Sequence, residues 1–143
     1  MYEEWDAKTA HLTPGAGIVL LRKIKGEWMV LGLLSNGQYD ITKGHVEKGD
    51  EYFDTAVRET YEEADIKDLK FIFGYDYCAL DCLRVYVAVT DSDAKIKENK
   101  NGIKEHESYS WLTFEEMERQ TYSYLKPAIV WAKEKIKNES KND

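Results

Sequence analysis

Cysteine, proline and histidine are scarce in this 143-residue sequence, with two, two and three copies respectively. Two cysteines allow one disulfide in principle. Cys78 and Cys82, four apart where a strand–turn–strand is expected, read as free thiols of a reducing cytoplasm. A zinc site would need further ligands at matching spacing, and His11, His45 and His106 are scattered. No apolar run approaches the roughly 18 residues a membrane span requires. The acidic start, MYEEWD, has no apolar stretch behind it, so a signal peptide is not expected. Positive charge is also in deficit, with 20 basic against 27 acidic residues and a net charge of −7. That balance argues against a broad basic surface for duplex nucleic acid. It leaves a small polyphosphate open, because bound metal ions can supply positive charge locally.

Apolar material is not lacking. Hydrophobic residues make up 43% of the chain and aromatic residues 13%, with ten Tyr and four Trp. This suits one packed domain over residues 1–143, with 1–12 as an arm and 138–143 as a frayed tail. Residues 15–24 and 27–35 read as two strands joined by a tight turn at Lys25-Gly26, and a short extended piece, 38–42, follows Asn36-Gly37. Asp50 is expected to cap a helix reaching Asp65. Phe53, Ala56, Val57, Thr60 and Ala64 form its apolar stripe. Strands are expected at 69–77, 83–90 and 107–112, with a solvated lysine-rich loop over 91–104. Thr113 is expected to cap a short helix, 114–119. A last helix, 124–137, carries Leu125, Ile129, Ala132 and Ile136 on one face, with Pro127 in its first turn. Strands on both sides of a central helix, with another helix at the end, predict a mixed α/β sandwich.

Glu59, Glu62 and Glu63 stand at i, i+3 and i+4 of the central helix, about 5–6 Å apart at Cβ. Carboxylates held that close repel one another, and hard cations such as Mg²⁺ or Mn²⁺ would make the cluster favourable. A solvated acidic face is the plain alternative. The loop in front shifts the balance: Gly44 and Gly49 allow tight turns that could aim a carbonyl oxygen at a metal. Arg58 could orient one carboxylate through a bidentate contact.

The whole segment 44–66, GHVEKGDEYFDTAVRETYEEADI, resembles the Nudix box, G-x5-E-x7-R-E-U-x-E-E-x-G-U with U a bulky apolar residue. Gly44, Arg58, Glu59, Glu62, Glu63 and Ile66 match, and Thr60 substitutes at the first U. Asp50 replaces the first Glu, with one methylene less reach. Asp65 replaces the helix-ending glycine, and Asp enters the left-handed region more readily than most residues. The flanks, KGHVE at 43–47 and EHESYSWL at 105–112, resemble those of asymmetrical diadenosine tetraphosphate hydrolases. Thr42 and Lys104 depart from that pattern.

The resemblance implies a Nudix-type α/β/α sandwich that hydrolyses a phosphoanhydride with Mg²⁺ or Mn²⁺. Gly44, Glu59, Glu62 and Glu63 would hold metal. Glu59 or Glu105 would be the base, and Arg58 would orient the cluster. Lys43 and His45 would contact phosphate. Tyr77, Tyr122 and then Tyr86 are candidates to stack on a base, against the alternative that strand tyrosines are core. The implied reaction takes diadenosine tetraphosphate to ATP and AMP. An RNA 5′-pyrophosphohydrolase or decapping enzyme and a nucleoside triphosphate-sanitising enzyme are rivals within the class. A non-catalytic nucleotide-binding module is the rival from another class, and it predicts a damaged glutamate cluster and an attached effector domain.

Overall fold

In the computed structural model, which describes residues 13–99 and 101–141, Lys25 and Gly26 both adopt positive φ, 51° and 81°. A two-residue turn of that kind matches the twist of antiparallel strands. It closes β1 (Gly15–Ile24) onto β2 (Glu27–Ser35). Asn36 and Gly37 repeat the geometry and lead into β3 (Gln38–Asp40) and β4 (Thr42–His45). β1 and β2 pair with each other only over Leu21–Ile24 and Glu27–Val30. Beyond that they diverge, and β4 pairs with the free end of β1 while β3 pairs with that of β2. The loop after β4 thereby starts beside the first residues of β1. The expected N-terminal arm, 1–12, lies outside the described residues.

β6 (Leu83–Val89) runs parallel to β1, β5 (Cys78–Leu80) forms a hairpin with β6, and β7 (Ser108–Leu112) lies antiparallel along β2. The result is the expected mixed sheet, seven-stranded, between helices. Alternation along the strands divides the core into two layers. Ile18, Leu20, Leu33 and Ala88 face α1 (Tyr52–Ala64). Val19, Leu21, Val85 and Val87 face α2 (Phe114–Gln120) and α3 (Lys126–Lys141). Neither Cys78 nor Cys82 forms a disulfide.

Several expectations need correcting. The strand foreseen at 69–77 does not form. Lys70 pairs alone with Val89 through two backbone hydrogen bonds of 2.8 Å, and Gly74, at φ 108°, turns the chain. The aromatic residues that suggested a strand pack on α1 instead, with Phe71 4.9 Å from Phe53 and 5.2 Å from Tyr75 between ring centroids. Asp50 does not cap α1: Glu51 occupies the N-cap position and makes no side-chain cap bond. The stripe is also placed differently, since Thr55, Ala56, Thr60, Glu63 and Ala64 are buried and Phe53 and Val57 only partly so. Glu63 therefore belongs to the buried side of the helix. At the far end, Asp65 takes the left-handed conformation (φ 57°, ψ 37°) and its N–H reaches the Tyr61 carbonyl, as expected of the residue that stands in for glycine.

Thr113 caps α2 through a reciprocal capping box with Glu116. A 3₁₀ turn, Ser123–Leu125, precedes α3, and Pro127 sits in the first turn of that helix, where its missing N–H costs nothing. α3 continues to Lys141, so the expected frayed tail from 138 is helical through that residue.

Candidate active site

β4 and α1 pack against each other, and their contact sets the geometry of the carboxylates. Gly44 lies under Glu59 so closely that a Cβ there would sit 2.1 Å from the carboxyl carbon. Gly44 does not need a positive φ; it is needed as the floor on which Glu59 rests, which corrects the reading of it as a turn residue. Gly49, at φ 90°, is the one that turns the loop. One helical turn after Glu59, Glu63 reaches back to β4 and accepts the Lys43 backbone N–H at 2.8 Å. Glu62 lies on the outer side, its side chain 52% exposed.

Arg58 ties the group together, though not by the bidentate contact expected. Its Nη1 donates to Asp50 at 2.9 Å, while Nη2 and Nε lie 3.7 Å from Glu59 and 3.8 Å from Glu62. Asp50 in the loop thus anchors the arginine that borders two carboxylates.

Across from the helix, the loop before β7 brings Glu105 and His106 in, so that ligand atoms of Glu63, Glu105 and His106 lie within 4.8 Å of one another. A cleft of about 680 Å³ opens here, lined by Glu59, Glu62, Glu63, Glu105, Arg58 and Lys97 among others. Negative charge dominates it. Burial, then the nearby Glu62, pushes the Glu59 carboxyl up to about 7, against the opposing pull of Arg58. Burial, then Glu59, raises Glu63 well above the usual carboxylate range. An all-oxygen donor set short of counter-charge, with one member seated on a glycine that leaves it room, fits a hard divalent cation.

These shifts have a consequence for stability. A carboxyl raised in the folded state holds a proton that the unfolded chain releases. The fold is therefore favoured at low pH and loses this contribution as pH rises from about 4.5 through about 7. In chelator the Tm should fall across that window. Saturating Mg²⁺ should flatten the fall, because the cation favours the ionised form. Thermal melts from pH 5 to 8, with and without Mg²⁺, check this; identical profiles would show that no cation relieves these groups.

The structure thus gathers Gly44, Arg58, Glu59, Glu62, Glu63 and Glu105. It does not bring Lys43, His45, Tyr77, Tyr86 or Tyr122 to the cleft lining. Lys43 is corrected most sharply. Its ammonium is buried and bonded to Asp40 at 2.8 Å, and although burial alone would lower its pKa, Asp40 raises it. His45 is partly buried at the end of β4, opposite Gly15. The tyrosines divide between the two faces of the sheet. Tyr77 and the buried Tyr86 meet at 5.7 Å on the α1 face. Tyr122 packs on the other face and donates to the Ser35 carbonyl at 3.0 Å. Sequence reasoning missed Arg84, whose guanidinium lies 4.0 Å from the Tyr52 ring centroid and 4.5 Å from that of Tyr77. Strand alternation was the available signal, since Arg84 shares a face with Tyr86. Lys97 and Asp40 were also missed, and nothing local in the sequence marks them.

A NUDIX domain model matches residues 11–132, and the chain belongs to that family. Among curated proteins, it is similar to the pig bis(5′-nucleosyl)-tetraphosphatase (asymmetrical), with 35% identity over 94 residues. The match spans 57% of this chain and 61% of the relative, so less than two thirds of the relative's length is covered. Among solved structures, a C. elegans Ap4A hydrolase in a binary complex has a TM-score of 0.71 at 21% identity, covering 87% of this chain and 98% of that one. The Nudix hydrolase RenU of M. smegmatis has a TM-score of 0.70 at 12% identity, covering 85% and 84%. At those identities the two structures establish a shared fold.

Proposed function

We propose that this protein hydrolyses a phosphoanhydride bond in a dinucleoside polyphosphate, with diadenosine tetraphosphate cleaved asymmetrically to ATP and AMP. The observation that carries the reading is the convergence of Glu59, Glu62, Glu63 and Glu105 on one acidic cleft above Gly44. The likeness to the pig tetraphosphatase supports the substrate class.

Glu59, Glu62 and Glu63, with the Gly44 carbonyl, would hold Mg²⁺. The metal would lower the pKa of water and neutralise charge on phosphate oxygens. Arg58, fixed by Asp50, keeps Glu59 and Glu62 facing the cleft. Glu59 or Glu105 accepts the proton of the attacking water. Among the described residues of the cleft lining, Lys97 is, besides Arg58, a cation that can meet a phosphate. Tyr77, 40% exposed beside Arg84 and Tyr52, offers an aromatic face to a base, and Tyr86 supports it from beneath.

The test is a Mg²⁺-dependent product assay over diadenosine tetraphosphate, nucleoside triphosphates and 5′-triphosphorylated RNA. ATP and AMP in equal amounts from diadenosine tetraphosphate, at the highest kcat/KM of the panel, is the expected result. Faster release from RNA or triphosphates would move the substrate to those rivals. No release from any would favour a binding module, despite the intact glutamate cluster.

A further inference from the structure

We propose that Asp40, Lys43 and His106 form a buried support whose task is to position Glu63 and Glu105 toward the metal, a claim that rests on the metal reading above. The contacts close into a ring. Glu63 Oε1 accepts the Lys43 backbone N–H at 2.8 Å, and Glu63 Oε2 faces His106 Nδ1 at 3.5 Å. The other nitrogen of His106, Nε2, lies 3.6 Å from Asp40 Oδ2, and that same oxygen accepts from Lys43 Nζ at 2.8 Å. Asp40 is itself fixed, since its Oδ1 accepts the Ile41 N–H at 2.8 Å. Lys43 therefore enters twice, once through its backbone on Glu63 and once through its side chain on Asp40.

All four residues are buried, at 4% to 8% relative exposure. Buried ionic groups are a poor source of stability, because desolvation offsets much of their attraction. Their directional use is clearer here. A glutamate on a helix has three rotatable bonds, and this ring restrains both of its oxygens. The His106 ring, held between Asp40 and Glu63, also fixes the backbone that carries Glu105 next to it. One support thus sets carboxylates on opposite walls of the cleft. Because both ring nitrogens face carboxylate oxygens, His106 acts as a positioning residue and is not itself a metal ligand.

The experiment uses Mn²⁺ alone on the full chain, read by electron paramagnetic resonance and calorimetry. His106→Gln, Asp40→Asn and the double variant Asp40→Asn/Lys43→Met are compared with the wild type. The double variant leaves no lysine buried without its partner, and it keeps the backbone N–H on Glu63. We expect Mn²⁺ binding weaker by about 10–100-fold in each, the range for loss of a partner that orients a ligand. His106→Phe, which keeps no donor, should lose more than His106→Gln. Spin-echo spectra of the wild type should show no directly bound nitrogen. Folded variants with undiminished Mn²⁺ affinity, or a nitrogen coupling assigned to His106, would overturn the support while leaving the metal reading intact. A wild type that does not bind Mn²⁺ would overturn both.

Discussion

Glu59→Gln and Glu63→Gln should each abolish most turnover while making the metal-free protein more stable. The two effects have one cause. Both carboxyls are raised by burial and by neighbouring acids, so at neutral pH the fold must hold a proton that the unfolded chain has released or else bury an uncompensated charge. An amide of the same shape removes that burden, and at position 63 it can still accept the Lys43 N–H. The metal-free Tm should rise by about 3–5 °C, the shift that roughly 1 kcal/mol produces in a domain of this size. Turnover should fall by more than about 100-fold, because loss of a mere orienting partner already reaches that figure. Glu62→Gln separates the terms. Its own side chain is half exposed, so turnover should fall as far while Tm rises less than in the other two variants, through relief of Glu59 alone. Steady-state rates and melts in chelator are the measurements. Full activity in all three variants would remove the metal site from this helix.

That opposition of stability and activity explains which parts of the molecule could be read from sequence. Helix α1 was legible because its apolar spacing, its acidic spacing and the box overlap on one segment, and the helix expected from Asp50 to Asp65 contains the 13 residues that form it. Asp65 was legible because a helix end has few conformational solutions. The hairpin at Lys25-Gly26 was legible for the same reason. What sequence hid depends on contacts between distant segments. The run from Phe71 to Phe73 looks like strand, yet its rings find α1 and the opposite core layer, and Gly74 breaks the extension. Lys43 stands just before the box loop, the position from which a contact with phosphate was expected. It points inward because Asp40, three residues earlier, offers a buried carboxylate. Glu63 seemed to belong to the exposed face until β4 and His106 were seen to lie over it. Aromatic partners place the first, a carboxylate three residues away places the second, and a distant strand and histidine place the third, and neither periodicity nor a local motif encodes any of them.

Gly44→Ala provides the sharpest separation of site geometry from fold. Gly44 lies in β4 without a positive φ, so alanine's backbone preferences are satisfied there. Replacing glycine at such a position also restricts the unfolded chain, which favours the fold by about 0.4–1 kcal/mol. The three atoms nearest the added methyl all belong to Glu59, at 2.1 Å for Cδ, 2.4 Å for Oε1 and 2.6 Å for Cγ. Those atoms are the far end of a flexible side chain, so the clash resolves by turning Glu59 away rather than by opening the sheet. The variant should melt within about 3 °C of the wild type, since the backbone gain and the displaced side chain oppose each other at roughly 1 kcal/mol each. Its turnover should nevertheless fall to the level of Glu59→Gln. Adding Gly44→Ala to Glu59→Gln should cost nothing further if the glycine acts only through Glu59, because the second change then removes what the first has already lost. A further loss in the double variant would assign Gly44 a role of its own, with its carbonyl as the atom responsible. An active Gly44→Ala enzyme would instead mean that Glu59 can do its work from another place.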